Sequence, residues 1–272
     1  MENIDMLDTL QEGIIESDKK NSKNKNKYNF DKLKMYFRED FTINNITISQ
    51  PTIGYILEVG EENFYHALSP FLYNSTSIRV LLWEHDKDWN KVSDIEVFAI
   101  MMPSVINEFS YILDKVFNGF KFDDFQLFGT NNTETETKYA LYSPSQNILI
   151  QEDEYMVIAE YIREMLNVHP KIEKAKGKTA KKWIIQEDKM NLLNKKPEEA
   201  SNLLSLVSAC VNHPGFKYKL EELKDVGIYQ FMDSVKRIQK YESATAILNG
   251  SYSGFVDTSK LDKELFNFMG DI

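Results

Sequence analysis

Gly227 to Leu248, GIYQFMDSVKRIQKYESATAIL, constrains the fold more than any other stretch of this chain. Ile228, Phe231, Met232, Val235, Ile238 and Leu248 fall on one face of a helix, and Gln230, Asp233, Lys236, Arg237 and Lys240 take the other. Asp233 precedes Arg237 by one helical turn, an arrangement that adds about 0.2–0.5 kcal/mol to an exposed helix. Such a stripe has to be buried. The segments after Asp153 read as its helical partners: a charged start at Gln151–Glu154 followed by Tyr155, Ile158, Ala159, Ile162 and Met165; a helix carrying Trp183, Ile184 and Ile185, with Thr179 as its expected cap; and Glu198 to Val211 with Leu203, Leu206, Val207, Cys210 and Val211 on one face. Asn212-His213-Pro214-Gly215 stops the last of these, and LEELKDV makes a short helix before Gly227. A loop, NGSYSG, and a helix bearing Leu261, Leu265 and Phe268 complete this half.

The first half mixes periods. DFTINNITIS, residues 40–49, alternates around Asn44-Asn45 and predicts a β-hairpin, because Asn tolerates positive φ. Thr52 caps a helix containing Ile53, Ile56 and Leu57; Gly60 ends it, and Glu61-Glu62 open another that runs to about Tyr73. Ser93 and Glu96 form a capping box with Val92 and Val97 as its staple, and Pro103 is expected to end or kink the helix that follows. Val105 to Phe117 is strongly apolar on one face and closes at Asn118-Gly119. Phe120 to Phe128, a polar loop TNNTETETK, and YALY and NILI around Ser-Pro-Ser-Gln predict sheet over 120–151. The fold class is therefore α+β, predominantly helical, with short antiparallel hairpins in the N-terminal half. Residues 1–28 read as an arm and linker, 29–151 as a mixed region and 152–272 as a helical region.

Composition limits the function. A net charge of −10 argues against dominant sequence-independent nucleic-acid binding, which needs surplus Lys and Arg, and leaves room for a local basic patch. A single cysteine, Cys210, permits no internal disulfide. No apolar run approaches the length of a membrane helix and the N-terminus lacks a basic start, so a soluble, intracellular protein with no membrane partner is expected.

The candidate chemistry is thin. His66, His85, His169 and His213 are scattered, and the turn Glu84-His85-Asp86-Asp88 offers the best metal-ligand cluster, although adjacent residues on a turn seldom converge on one ion. Cys210 sits on an apolar face as a small hydrophobe, and Asp123-Asp124 and Glu152-Asp153 lie at element ends, open to water. No catalytic, cofactor or metal residue is assigned. Residues 171–182, KIEKAKGKTAKK, hold six lysines against one glutamate and lead into Trp183. Lys174, Lys176, Lys178, Lys181, Lys182 and Trp183 form the strongest local binding signal, suited to phosphate or an acidic protein surface; the competing reading is a solvated loop. Helix, HPGF turn, short helix and helix over 198–241 also have the outline of a DNA-reading unit, against which stand the mixed charges on the last helix and the acidic chain.

Residues 36–65, YFREDFTINNITISQPTIGYILEVGEENFY, with 160–188, EYIREMLNVHPKIEKAKGKTAKKWIIQED, and 212–239, NHPGFKYKLEELKDVGIYQFMDSVKRIQ, resemble an uncharacterised family encoded by tailed phages and prophages of Gram-positive bacteria. The opening hairpin-then-helix is similar to the start of phage tail assembly chaperones. That resemblance implies a non-catalytic morphogenesis protein of the host bacterial cytoplasm, without cofactors, that binds the tape-measure and tail-tube proteins. It transfers no site residues. The alternative from the residues themselves is a nucleic-acid-binding regulator that uses 171–183 and the C-terminal helices.

Overall fold

A computed structural model describes residues 30–133, 136–194, 202–254 and 261–270. The expected arm and linker over 1–28, and the start of the helix expected from Glu198, lie outside them. Among the described residues the architecture is α+β and mostly helical, with a two-stranded and a three-stranded antiparallel sheet.

Local chemistry sets the first elements. Asp31 caps α1 (Lys32–Tyr36). The hairpin β1 (Phe41–Ile43) and β2 (Ile46–Ile48) turns at Asn44, whose φ is 50°, as the Asn-Asn pair predicts. Thr52 accepts a hydrogen bond from the Tyr55 amide at the start of α2 (Ile53–Val59), and Gly60 at φ 88° separates it from α3 (Glu61–Leu72). After α4 (Arg79–Glu84), α5 (Asp94–Val116) opens on a capping box in which the Glu96 carboxylate accepts from the Ser93 amide at 2.8 Å.

The helix α5 passes straight through Pro103, which faces solvent, and departs from helical geometry at Phe109 instead. Ile95, Phe98 and Met102 before the proline and Val105, Ile112 and Val116 after it are buried in one core, and that packing outweighs the roughly 3 kcal/mol cost of an interior proline. By length and composition α5 is also the one helix among the described residues apolar enough to cross a membrane, contrary to the expectation that no run comes near. Here its apolar face is the floor of the core.

Two further segments differ from expectation. Phe120, Phe122 and Phe125 do not alternate along a strand; they turn into a ring cluster in which Phe122 meets Phe117 at 4.8 Å and Phe71 at 5.6 Å. Strand β3 (Gln126–Thr133) starts only afterwards. The expected polar loop is instead ladder: β3 pairs with β4 (Glu136–Ser143) from Gln126↔Tyr142 to Thr133↔Glu136, since β-branched threonines suit an extended pair. Strand β5 (Ile148–Gln151) adds to β4, and Leu141 and Ile150 point into the core.

Helix α6 (Glu152–Leu166) crosses α3 and α5 and carries Tyr155, Ile158, Ile162 and Met165 into the cluster that also holds the residues before position 152. Arg163, in the last turn of α6, is 3% exposed. Its Nε donates to the Phe71 carbonyl at 3.0 Å, and its remaining nitrogens reach the Tyr73 carbonyl, Asp94 and Glu160 at 3.1, 2.7 and 2.9 Å.

In the C-terminal part, α8 (Asn202–Val211) leads into the HPGF turn, and a 3-10 turn (Glu222–Asp225) and α9 (Ile228–Tyr252) follow it. Antiparallel hydrogen bonds from Ile53 N to Val226 O and from Ile228 N to Pro51 O, each 3.0 Å, tie the starts of α2 and α9 together. Gly54 makes the approach possible: a Cβ there would stand 2.7 Å from the Lys224 carbonyl oxygen. Ile228, Phe231 and Met232 are buried as expected; Leu248 is not, because the distal half of α9 runs beyond the body, through the expected NGSY loop. The expected terminal helix is only a 3-10 turn, Lys263–Phe266, capped by Asp262.

Candidate functional site

The basic stretch does not behave as a loop. The C-terminus of α6 is closed by Asn167 in the left-handed region, φ 55°, and the chain then runs extended until Gly177, φ 81°, turns it into α7 (Lys178–Asn194). Thr179 is therefore inside the helix, not its cap. An extended segment must place its backbone polar groups somewhere. Here the partners are side chains from the segment 74–90. Asn74 Nδ2 donates to the Lys171 carbonyl at 2.8 Å, and Trp89 Nε1 to the Glu173 carbonyl at 3.0 Å. Asn90 Nδ2 donates to the Ala175 carbonyl at 2.7 Å, and the Glu173 amide donates to Thr76 Oγ1 at 3.0 Å. Period two does the rest: Glu173 and Ala175 turn inward, while Ile172, Lys174 and Lys176 turn to solvent.

Ion pairs hold both ends of this strap. Arg79 lies between Asp188 and Glu173, with its Nη2 2.7 Å from Asp188 Oδ1, and the hydrogen bonds it donates to the Asp188 carboxylate raise the guanidinium pKa further. Lys181 reaches both oxygens of Asp88, at 2.7 and 2.6 Å, and stands 5.6 Å from the centre of the Trp89 ring; Lys189 pairs with Glu84 at 2.7 Å. Beneath them Ile78, Leu82, Trp89, Val97, Ala175 and Ile185 form a second apolar cluster, distinct from the main core. So α7 packs on α4 and the Trp83–Trp89 turn, and not on α9 as its place downstream of Asp153 suggests. The same contacts use the metal-ligand candidates: Glu84 and Asp88 face lysines, and His85 Nδ1 lies 2.9 Å from the Leu81 carbonyl. No grouping of three His, Cys, Asp or Glu suited to a metal ion occurs among the described residues.

The structure thus divides the predicted site. Lys181 is structural. Lys174, Lys178 and Lys182 stay exposed and form no ion pair among the described residues, and Lys176 is exposed. Trp183, 56% exposed, is joined on the outer face of α7 by Met190 at 64% and Leu193 at 85%, seven and ten residues on. That spacing aligns them on one side of a helix whose other side carries Ile184 and Ile185. Met190 and Leu193 escaped the sequence reading, although the interval from Trp183 was visible in it. One member of each acid pair is also engaged: Asp124 accepts from the Ser145 amide at 2.7 Å and Glu152 accepts from the Tyr139 amide. A groove between the two hairpins, walled by Ile43, Ile46, Ile148 and Ile150, measures about 190 Å³, below the roughly 300 Å³ of a small-molecule pocket.

The hydrogen bond from Lys181 depresses the Asp88 pKa. A depressed carboxylate stabilises the fold fully above its unfolded value of about 3.9 and loses that contribution as pH falls through the lower folded value. For a partly exposed pair this amounts to about 0.2–1 kcal/mol. Asp88→Asn is expected to lower the melting temperature by roughly 1–4 °C at pH 7, with the gap to the parent shrinking as pH falls below the unfolded value of about 3.9; thermal scans across pH read it directly.

Residues 194–272 match the family model described as the YomV second domain, a phage- and prophage-associated family. The match begins at the last residue of α7 and takes in α8, α9 and the terminal 3-10 turn. No curated protein and no solved structure gives a significant match. The sequence likeness of this C-terminal helical part is to a phage-associated protein family.

Proposed function

We propose that the chain is a non-catalytic phage morphogenesis protein of the tail-assembly-chaperone type, acting in the host cytoplasm and using the outer face of α7 to bind a long helical tape-measure or tail-tube protein. One observation carries this reading: Trp183, Met190 and Leu193 form an exposed apolar stripe on a helix fixed to the body by its opposite face. A helix whose stripe is exposed among the described residues suits pairing with another amphipathic helix, and tryptophan is enriched among residues that dominate such interfaces. Lys178 and Lys182, exposed on the same helix, and Lys174, exposed just before it, favour acidic residues on the partner. The family match supports the phage context and is neutral on the partner.

The test is co-expression with the tape-measure protein of the same phage genome, followed by capture after nuclease treatment. Trp183→Ala with Met190→Glu and Leu193→Glu is expected to abolish capture, with the melting temperature kept, since all three side chains face solvent. Capture unchanged by these substitutions would overturn the reading. A salt-sensitive gel shift removed by Lys178→Glu and Lys182→Glu would favour the nucleic-acid regulator in its place.

A further inference from the structure

The distal half of α9, which runs beyond the body, carries a second exposed stripe. Tyr241, Thr245, Leu248 and Tyr252 are spaced four, three and four apart, the interval of an a/d seam. Tyr241 is 48%, Leu248 37% and Tyr252 84% exposed. The order four, three, four reads the same in both directions. Laid antiparallel on a second copy of itself, the stripe therefore matches layer by layer: Tyr241 meets Tyr252 of the other copy, and Thr245 meets Leu248. A twofold contact between identical surfaces requires this kind of self-complementarity.

Charge selects a second copy as the occupant. The chain carries a net charge of −10, so repulsion opposes contact between copies, yet residues 243–254, SATAILNGSYSG, include no charged side chain. Glu242, at the near end of the stripe, is already paired with His213 at 3.0 Å. That end also offers a seat for the most exposed residue. Phe268 stands edge-on to Tyr241 with ring centroids 5.5 Å apart, and Arg237 holds the Phe268 and Gly270 carbonyls at 3.0 and 2.8 Å. An antiparallel pair brings each Tyr252 to the other copy's Tyr241 and Phe268, which closes two symmetric aromatic clusters. A whole aromatic side chain buries roughly 150–250 Å², so the seam covers on the order of 600 Å² over both copies, below the roughly 1,200 Å² of a standard interface. The dimer it makes is weak and concentration-dependent.

We propose that two copies of the chain pair antiparallel through the distal halves of α9, a contact that uses no residue of the α7 face. Sedimentation of the full chain across the micromolar range tests it and is expected to show a monomer–dimer equilibrium. Leu248→Glu with Tyr252→Glu is expected to weaken association by about tenfold or more with the melting temperature kept, since both side chains are exposed in the single copy. Substitution of Trp183, Met190 and Leu193 is expected to leave it unchanged. Register is read by oxidising an equal mixture of Tyr241→Cys and Tyr252→Cys proteins, in which the native Cys210, 4% exposed, is shielded. Disulfides between the two variants are expected to exceed those within either, because identical positions in the two copies lie about 16 Å apart along the helix axis. A monomer at every concentration, a dimer that ignores the α9 substitutions or is lost with those on α7, or disulfides that favour identical positions would overturn the pairing.

Discussion

Arg163→Met is expected to destabilise the protein by about 3–5 kcal/mol, read as a shift of the urea midpoint at constant slope. Arg163 is 3% exposed and sits where three elements end or begin. The last carbonyls of a helix have no partner within it, and Arg163 supplies one to Phe71 in α3 and to Tyr73 just beyond. It also faces Asp94 in the first turn of α5 at 2.7 Å, so a single guanidinium joins the exit of α3 to the entry of α5 from within α6. Methionine fills similar volume but leaves two carbonyls and a partly buried carboxylate without a donor. Each such loss costs about 1–3 kcal/mol, more for the charged group. Arg163→Lys keeps the charge without the planar fork and is expected to recover only part of the loss. A change below about 1 kcal/mol for Arg163→Met would show that these partners find water instead.

Trp89→Ala is the second large effect, about 3–5 kcal/mol, and it is expected to be local. Trp89 is 1% exposed and belongs to the second apolar cluster, together with Ile78, Leu82, Ala175 and Ile185. Its ring also sits under Lys181 and its Nε1–H holds the Glu173 carbonyl. Truncation opens a cavity, frees a strap carbonyl and weakens the Lys181–Asp88 contact together. The main core, centred on Phe71, Phe98, Phe117 and Tyr155, does not include this side chain. Amide exchange should therefore accelerate over residues 171–190 while α3, α5 and α6 keep their protection. Uniform acceleration would mean that the two clusters unfold as one.

The parts legible in the sequence are those fixed by neighbours in the chain. Asn44 at positive φ, the Thr52 cap, the Ser93–Glu96 box and the buried stripe of Ile228, Phe231 and Met232 follow from spacing and residue type alone. The strap was illegible for the opposite reason. Its backbone is satisfied by Asn74, Thr76, Trp89 and Asn90, more than eighty residues away, and no local pattern announces side chains that replace a strand. Six lysines in sequence therefore looked like one surface, where burial of Ala175 and pairing of Lys181 with Asp88 separate them. Helix α7 was legible as a helix but not in its placement, because apolar residues lie on both of its sides and the stripe that packs is not distinguished by period from the stripe that does not. Phe120, Phe122 and Phe125 misled in the same way: aromatic alternation suits a strand, and only the ring cluster around Phe71 draws them off it.

The central claim is that α7 is held by one face to present the other to a helical protein. A photo-cross-linking residue at Met190 tests it most directly, with the same residue at Leu57, 62% exposed on α2, as the control. In cells making phage, the position on α7 is predicted to label the tape-measure or tail-tube protein and the position on α2 to label neither. Equal labelling from both positions, or labelling from Leu57 alone, would contradict the account.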